Sequence, residues 1–211
     1  MARGTLITIE GLDGAGKSTL AGALTGALAQ RGVRTELLRE PGGVVLSERI
    51  RGLVKDPALQ VSARAETLLY AAARAQLVQE RVVPLLQSGA WVLLDRFVDS
   101  SLAYQGAGRE LGVERVRDIN MFATDGLAPA RTLLLRIDPA TGRARQQTRG
   151  AEPDRLEREG ERFFAAIAAA YERLASLEPD RIRAIDAELP AEQVLAQALA
   201  AIEDLIPMHT A

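Results

Sequence analysis

Residues 11–19 read Gly-Leu-Asp-Gly-Ala-Gly-Lys-Ser-Thr, which satisfies the spacing G-x-x-x-x-G-K-[ST]. The run follows an apolar stretch at residues 5–9 and opens a segment of helical pattern over residues 18–31. A strand feeding a glycine-rich loop and then a helix N-terminus curls successive backbone N–H groups around a phosphate. The expected nucleotide loop is therefore Gly11, Leu12, Asp13, Gly14, Ala15, Gly16, Lys17, Ser18 and Thr19. In such a loop Lys17 reaches the β- and γ-phosphates of ATP, and the Ser18 hydroxyl serves Mg²⁺. The spacing is not that of the dinucleotide fingerprint G-x-G-x-x-G.

Lys17 gains weight from what surrounds it. Lys17 and Lys55 are the only lysines among 26 basic residues, the rest being arginine. The compact ammonium charge is what a phosphate-cradling loop uses. The formal net charge is −2, which gives no broad footprint for a phosphate backbone, so nucleic acid is not an expected partner. Cysteine is absent, which excludes disulfides and thiolate metal sites. The single histidine, His209, reads as a solvated tail residue. No run is long enough for a membrane span or a signal h-region, and we expect a cytoplasmic enzyme.

The rest of the chain alternates short apolar runs with helical patterns, the signature of a parallel sheet wrapped by helices. Strands are expected at residues 5–9, 33–39, 91–94, 132–137 and 182–185. A long helix is expected over residues 63–86, buried and central, and a final helix from Pro190 to about residue 206. Residues 40–43, Glu-Pro-Gly-Gly, form a loop. Residues 142–161 are rich in arginine and poor in large apolar side chains, and read as a mobile surface flap. The expected fold is α/β: a five-stranded parallel sheet flanked by helices, one domain over residues 1–211, with a short lid at about 142–158.

Asp95 ends the apolar run Trp91-Val92-Leu93-Leu94. An acid at the C-terminal end of a buried strand beside a phosphate loop is positioned to help hold Mg²⁺. Read alone it is a turn or cap residue. Arg96 would bring positive charge to an acceptor phosphate. The only asparagine, Asn120, precedes Met121 rather than lysine, so the guanine reader of regulatory GTPases is missing. A chain of 211 residues with an arginine-rich flap fits a small-molecule kinase, which must exclude water during transfer.

Residues 95–106, Asp-Arg-Phe-Val-Asp-Ser-Ser-Leu-Ala-Tyr-Gln-Gly, resemble the D-R-[YFH]-x-x-S-[ST]-x-A-Y-Q-G segment of bacterial thymidylate kinases. Residues 39–43 resemble their R-E-P-G-G loop, and residues 70–76 their F-A-A-x-R-A-Q stretch. Residues 154–157 and 185–187 are similar to the D-R-[LI]-E and I-D-A motifs. The matches keep the family's order from about residue 5 to residue 187. The resemblance implies transfer of the γ-phosphoryl group of ATP to dTMP, with Mg²⁺, by a homodimer. It implies that Asp13 binds the deoxyribose 3′-hydroxyl, that Tyr70 stacks on thymine and that Arg74 meets the base edge. Arg51 and Arg96 would take the acceptor phosphate, Ser100, Ser101 and Gln105 would surround base and sugar, and Glu40 would border the site. Ser18 and Asp95 would serve the metal, Arg145 would pack against adenine, and Asp186 would belong to the ATP site. Arg149 is expected to be the lid's charge-neutralising arginine, and Arg143 a solvated charge. Without the resemblance, Tyr70 reads as core and Arg74 as a partner of Glu66. Arg136 departs from the pattern, since the family often has an acid there, and Asp138 stands two residues later. A kinase for another nucleotide or nucleoside, a regulatory P-loop protein and a DNA-associated ATPase remain as other readings.

Overall fold

The computed structural model describes residues 4–148 and 152–206. Strands β1 (Leu6–Gly11), β2 (Thr35–Arg39), β3 (Trp91–Asp95), β4 (Arg131–Arg136) and β5 (Ile182–Asp186) form one parallel sheet in the order β2-β3-β1-β4-β5. The apolar run of β1 is buried along its length because it lies between β3 and β4 with helices on both faces. Its side chains alternate. Ile7 and Ile9 face α1 (Lys17–Gln30) and α9 (Ala191–Ala200), meeting Leu20, Leu24, Leu28, Val194 and Ala198. Leu6 faces the other way with Val92 and Leu94, against Leu77, Val82 and Leu86. Burial of each such large side chain is worth about 1.5–3 kcal/mol, which fixes the register of the whole sheet.

The second face is covered by α3 (Ala63–Leu77), α4 (Val83–Gln87), α6 (Val113–Thr124) and α8 (Glu161–Leu177). α8 brings Phe163, Phe164, Ile167, Tyr171 and Leu174 to a core shared with Leu12, Leu102 and Leu134. The sequence points to one long, buried helix over residues 63–86. The helical run is there without a break from Ala63 to Gln87, but a π-helical turn, Val78–Val82, joins α3 to α4, and it is not buried throughout, since Leu68 is 58% exposed. Pro84 has no N–H and its ring crowds the carbonyl one turn back, so the ladder widens just before it. α2 (Val45–Lys55) follows the Glu-Pro-Gly-Gly loop, and α5 (Val98–Ser101) runs into a second π-helical segment, Leu102–Gly108.

The flap also differs from expectation. α7 (Pro139–Gln147) begins earlier, because Asp138 Oδ1 accepts the N–H groups of Ala140 and Thr141 and Pro139 occupies the first turn. That is the task of Asp138. Arg136 is exposed and pairs with Glu172 at 2.5 Å. The stem after the flap buries Leu156 in the α8 core, so it is docked rather than loose. Arg143 is half-buried with its guanidinium 5.2 Å from the Phe164 ring centroid, not a solvated charge.

Candidate active site

A cavity of about 300 Å³ opens at the C-terminal ends of β1, β2 and β3, where ligands gather in open parallel sheets. The loop after β1 supplies Asp13, Gly14, Gly16, Lys17 and Ser18 to it. Gly14 has φ +83°, and a Cβ there would lie 2.1 Å from Gly142 O. Only glycine lets the loop press against α7, so the phosphate loop and the root of the flap are in backbone contact.

Lys17 Nζ donates to Leu12 O at 2.8 Å and Gly11 O at 3.2 Å, and lies 3.7 Å from Asp13 Oδ1. Burial pulls its pKa down to about 8, and neighbouring Arg96 adds to the fall. Ser18 Oγ donates to Asp95 Oδ2 at 3.1 Å, so the two residues expected to serve a metal converge.

Arg96 holds a left-handed backbone, φ +71°, a conformation that costs a non-glycine residue roughly 1–3 kcal/mol and collects at functional sites. Its Nη2 donates to Asp13 Oδ1 at 2.6 Å and to Tyr104 Oη at 3.2 Å. Its Nη1 donates to Gly11 O and Ser100 Oγ, both at 3.1 Å. Burial raises the Asp13 carboxyl, but Arg96 and Lys17 outweigh it and hold the group well below the usual carboxylate range.

Arg74 is 1% exposed and engages all its donors within the chain. Nε donates to Glu40 Oε2 at 2.7 Å, and Nη2 lies 2.6 Å from the same oxygen and donates to Phe97 O at 2.8 Å. Nη1 donates to Ser101 Oγ at 2.9 Å and to Asn120 Oδ1. The partner of Arg74 is therefore Glu40, not Glu66. With four N–H groups hydrogen-bonded and Nη2 also held against Glu40, a base edge can be met by Arg74 only in exchange for one of these contacts. Glu40 Oε1 is buried with no partner among the described residues, and burial pushes the Glu40 carboxyl up against the opposing pull of Arg74.

Half-buried Tyr70 and Arg51 and buried Ser100, Ser101 and Gln105 line the same cavity. Arg51 Nη1 donates to Pro41 O at 2.9 Å, which ties α2 to the loop after β2. Ala15 is buried beneath the loop and Thr19 is exposed beyond it, so these two do not line the cavity. Gly11, Leu12 and Asp186 instead border a neighbouring space of about 200 Å³. Asp186 Oδ1 accepts from Glu188 N at 2.9 Å. Arg145 reaches that loop, its Nη1 donating to Ala187 O at 2.9 Å. Arg149 lies outside the described residues.

Among the residues that the sequence did not single out, Tyr104 lines the cavity and Glu10 supports it from beneath. Tyr104 sits against Arg96 with its ring centroid 5.0 Å from the guanidinium carbon. Its helical spacing from Ser100 and Ser101 was the available signal. Glu10 is 0% exposed and stands just before the loop; its signal was a charge inside an apolar strand. Its Oε1 accepts from Phe97 N at 2.7 Å and Ser100 N at 3.2 Å, and its Oε2 from Ser100 Oγ at 2.5 Å and Tyr171 Oη at 2.8 Å. Burial, with Asp99 adding, raises its pKa to about 7.

Known proteins share this architecture. A profile described as thymidylate kinase matches residues 9–198. The thymidylate kinase of Halorhodospira halophila is 44% identical over 208 residues, covering 98% of this chain and 97% of its own. That of Deinococcus radiodurans is 44% identical over 204 residues, covering 97% and 98%. The crystal structure of thymidylate kinase from Ehrlichia chaffeensis superposes with a TM-score of 0.78 at 26% identity, covering 95% of this chain and 99% of that one. With the profile spanning most of the sequence and relatives matching end to end, the chain belongs to the thymidylate kinase family.

Proposed function

We propose that this chain transfers the γ-phosphoryl group of ATP to dTMP, giving ADP and dTDP. The observation that carries the reading is one cavity shared by a phosphate loop, the Asp13–Arg96 pair and the Tyr70 ring. The relatives, by their names thymidylate kinases, support it.

Lys17 exchanges its two carbonyl partners for the β- and γ-phosphates, and the phosphate charge restores the pKa that burial has lowered. Asp13, kept ionised by Arg96, takes the acceptor's 3′-hydroxyl. Arg96 and Arg51 hold the acceptor phosphate. That phosphate is ionised at neutral pH, so its oxygen attacks in line without a strong general base. Catalysis is positioning plus charge stabilisation. Tyr70 covers the base face, and Glu40, Arg74, Ser101 and Gln105 form a rigid polar wall around it. Arg145 stacks on adenine beside Asp186. Arg149 neutralises charge on the transferring group, an assignment that rests on the sequence alone.

Ser18 and Asp95 present hard oxygen atoms 3.1 Å apart, which fits Mg²⁺ held by few protein ligands plus nucleotide phosphates and water. Among the described residues no group of three His, Asp or Glu side chains could form a metal cage. When bound, Mg²⁺ neutralises charge on the β- and γ-oxygens.

A homodimer in the cytoplasm completes the proposal. α3 and α6 pack together, and they leave Leu68, Met121 and Phe122 exposed, Phe122 by 91%. Among the described residues no helix is long and apolar enough to cross a membrane.

The test is label transfer from [γ-³²P]ATP in the presence of Mg²⁺ and dTMP. Label in dTDP is expected, and is lost with chelator. Release of labelled phosphate without labelled dTDP contradicts the reading.

A further inference from the structure

Both lysines of the chain line the cavity, Lys17 in the phosphate loop and Lys55 at the end of α2. The reaction above uses Lys17 and leaves Lys55 without a task. Lys55 Nζ donates to Asp154 Oδ2 at 2.6 Å, while Asp154 Oδ1 accepts the N–H groups of Leu156 and Glu157. Arg155 donates from Nη2 to Glu66 Oε2 at 2.6 Å, from Nε to Val54 O at 3.0 Å and from its backbone N–H to Lys55 O at 3.3 Å. The stem of the flap is thus pinned to the end of α2 and to α3.

Glu66 is the deeper point, 0% exposed. It also accepts from Gln105 Nε2 at 2.9 Å and from Arg109 Nη2 at 3.1 Å. Gln105 lines the cavity, and Tyr70 stands one helical turn beyond Glu66 on the same helix. One carboxylate is therefore shared between a wall of the cavity and the stem of the flap. A ligand that seats Tyr70 and Gln105 also fixes Glu66 where Arg155 meets it. The outer pair is looser: the Lys55 side chain is 35% exposed and Asp154 16%. A lysine makes a single point contact that releases and re-forms, unlike a forked guanidinium, and here the chain departs from its habit of using arginine.

We propose that Lys55 and Glu66 form a two-point latch for the flap, closed on Asp154 and Arg155 when an acceptor nucleotide fills the cavity. The proposal rests on the kinase reading and makes both positioning residues, since they act through the stem and through Gln105. An open latch admits water to the transferring phosphate.

With two lysines in the chain, acetylation by an amine-reactive ester can be followed site by site by mass spectrometry. In the wild type, dTMP should slow acetylation of Lys55 about fivefold or more, and Glu66→Gln should remove that protection while ATP still protects Lys17. Glu66→Gln should raise KM for dTMP about tenfold, and adding Arg155→Gln should worsen it little, since the two share one interaction. ATP hydrolysed per dTDP formed should rise, an uncoupling that loss of folded protein cannot produce. Should Glu66→Gln fail to fold, Lys55→Met at the half-exposed pair serves for the kinetics, and an unchanged KM and coupling ratio overturns the latch. Lys55 reactivity indifferent to dTMP in an active wild type overturns it and leaves the kinase reading standing. Protection that persists in Glu66→Gln also overturns it, because the ligand itself would then be the shield. A wild type that forms no dTDP overturns both.

Discussion

Lys17 is kept charged in a place that does not favour charge. Burial and Arg96 draw its pKa down to about 8, against an unfolded value near 10.5. Below pH 8 both states bind the proton, and the folded state carries a penalty of roughly 3 kcal/mol. Between pH 8 and 10.5 the folded state releases its proton first, so wild-type stability rises with pH and the penalty disappears. Lys17→Met should therefore raise Tm by about 6–12 °C at pH 7 and lose most of that advantage by about pH 10. It should also cut kcat by about 10²–10³-fold. Calorimetry across pH checks the first effect; a lower Tm at pH 7 that ignores pH contradicts it. At this scale the sequence was legible where a motif fixes a residue's place: Lys17, Ser18, Asp95 and Arg96 converge as their spacing implies. It was least legible for partners brought from afar. Arg74 and Glu40 stand 34 residues apart, and nothing local announces that Glu40 rather than Glu66 would satisfy the guanidinium.

At the scale of elements, Glu10 joins three of them. From β1 it holds the N-terminal turn of α5 through Phe97 and Ser100, and it holds α8 through Tyr171. Its pKa of about 7 exceeds the unfolded value near 4.5. Below pH 4.5 both states are protonated and no penalty exists. As pH rises toward 7 the unfolded chain ionises first, so wild-type stability falls. Glu10→Gln lacks this titration. Urea unfolding at pH 5 and pH 7.5 should show the wild type losing about 2–3 kcal/mol more than the variant between the two. Equal losses would show that Glu10 ionises in the fold as freely as in the unfolded chain. The five strands and the first helix were readable from apolar periodicity, within a few residues, whereas the last helix ends at Ala200, six residues before the expected end. The π-helical turns were not, because Pro84 and the packing around Tyr104 reset the ladder without changing the apolar pattern. The docking of the flap stem was hidden for a related reason: its polar residues look solvated until Glu66 and Lys55 are placed opposite them.

At the scale of the molecule, sheet order follows from which strands are apolar on both faces, and β1 takes the centre with the phosphate loop at its end. Association lies beyond what such patterns fix, since an apolar residue on a helix reads alike whether it faces a core or a second subunit. Phe122, 91% exposed on α6, is the side chain by which to separate these cases. Phe122→Glu should shift the protein from dimer to monomer in sedimentation velocity while the monomer stays folded. A wild type that sediments as a monomer removes the dimer from the account. The identity of the acceptor decides the function. It is tested most directly by ADP release from ATP and Mg²⁺ with dTMP, dUMP, dCMP, dGMP and AMP compared side by side. Strong stimulation by dTMP above all others is expected. If another monophosphate stimulates most, the kinase survives but the base site around Tyr70 and Arg74 is misassigned; if none does, phosphoryl transfer to a nucleotide is contradicted.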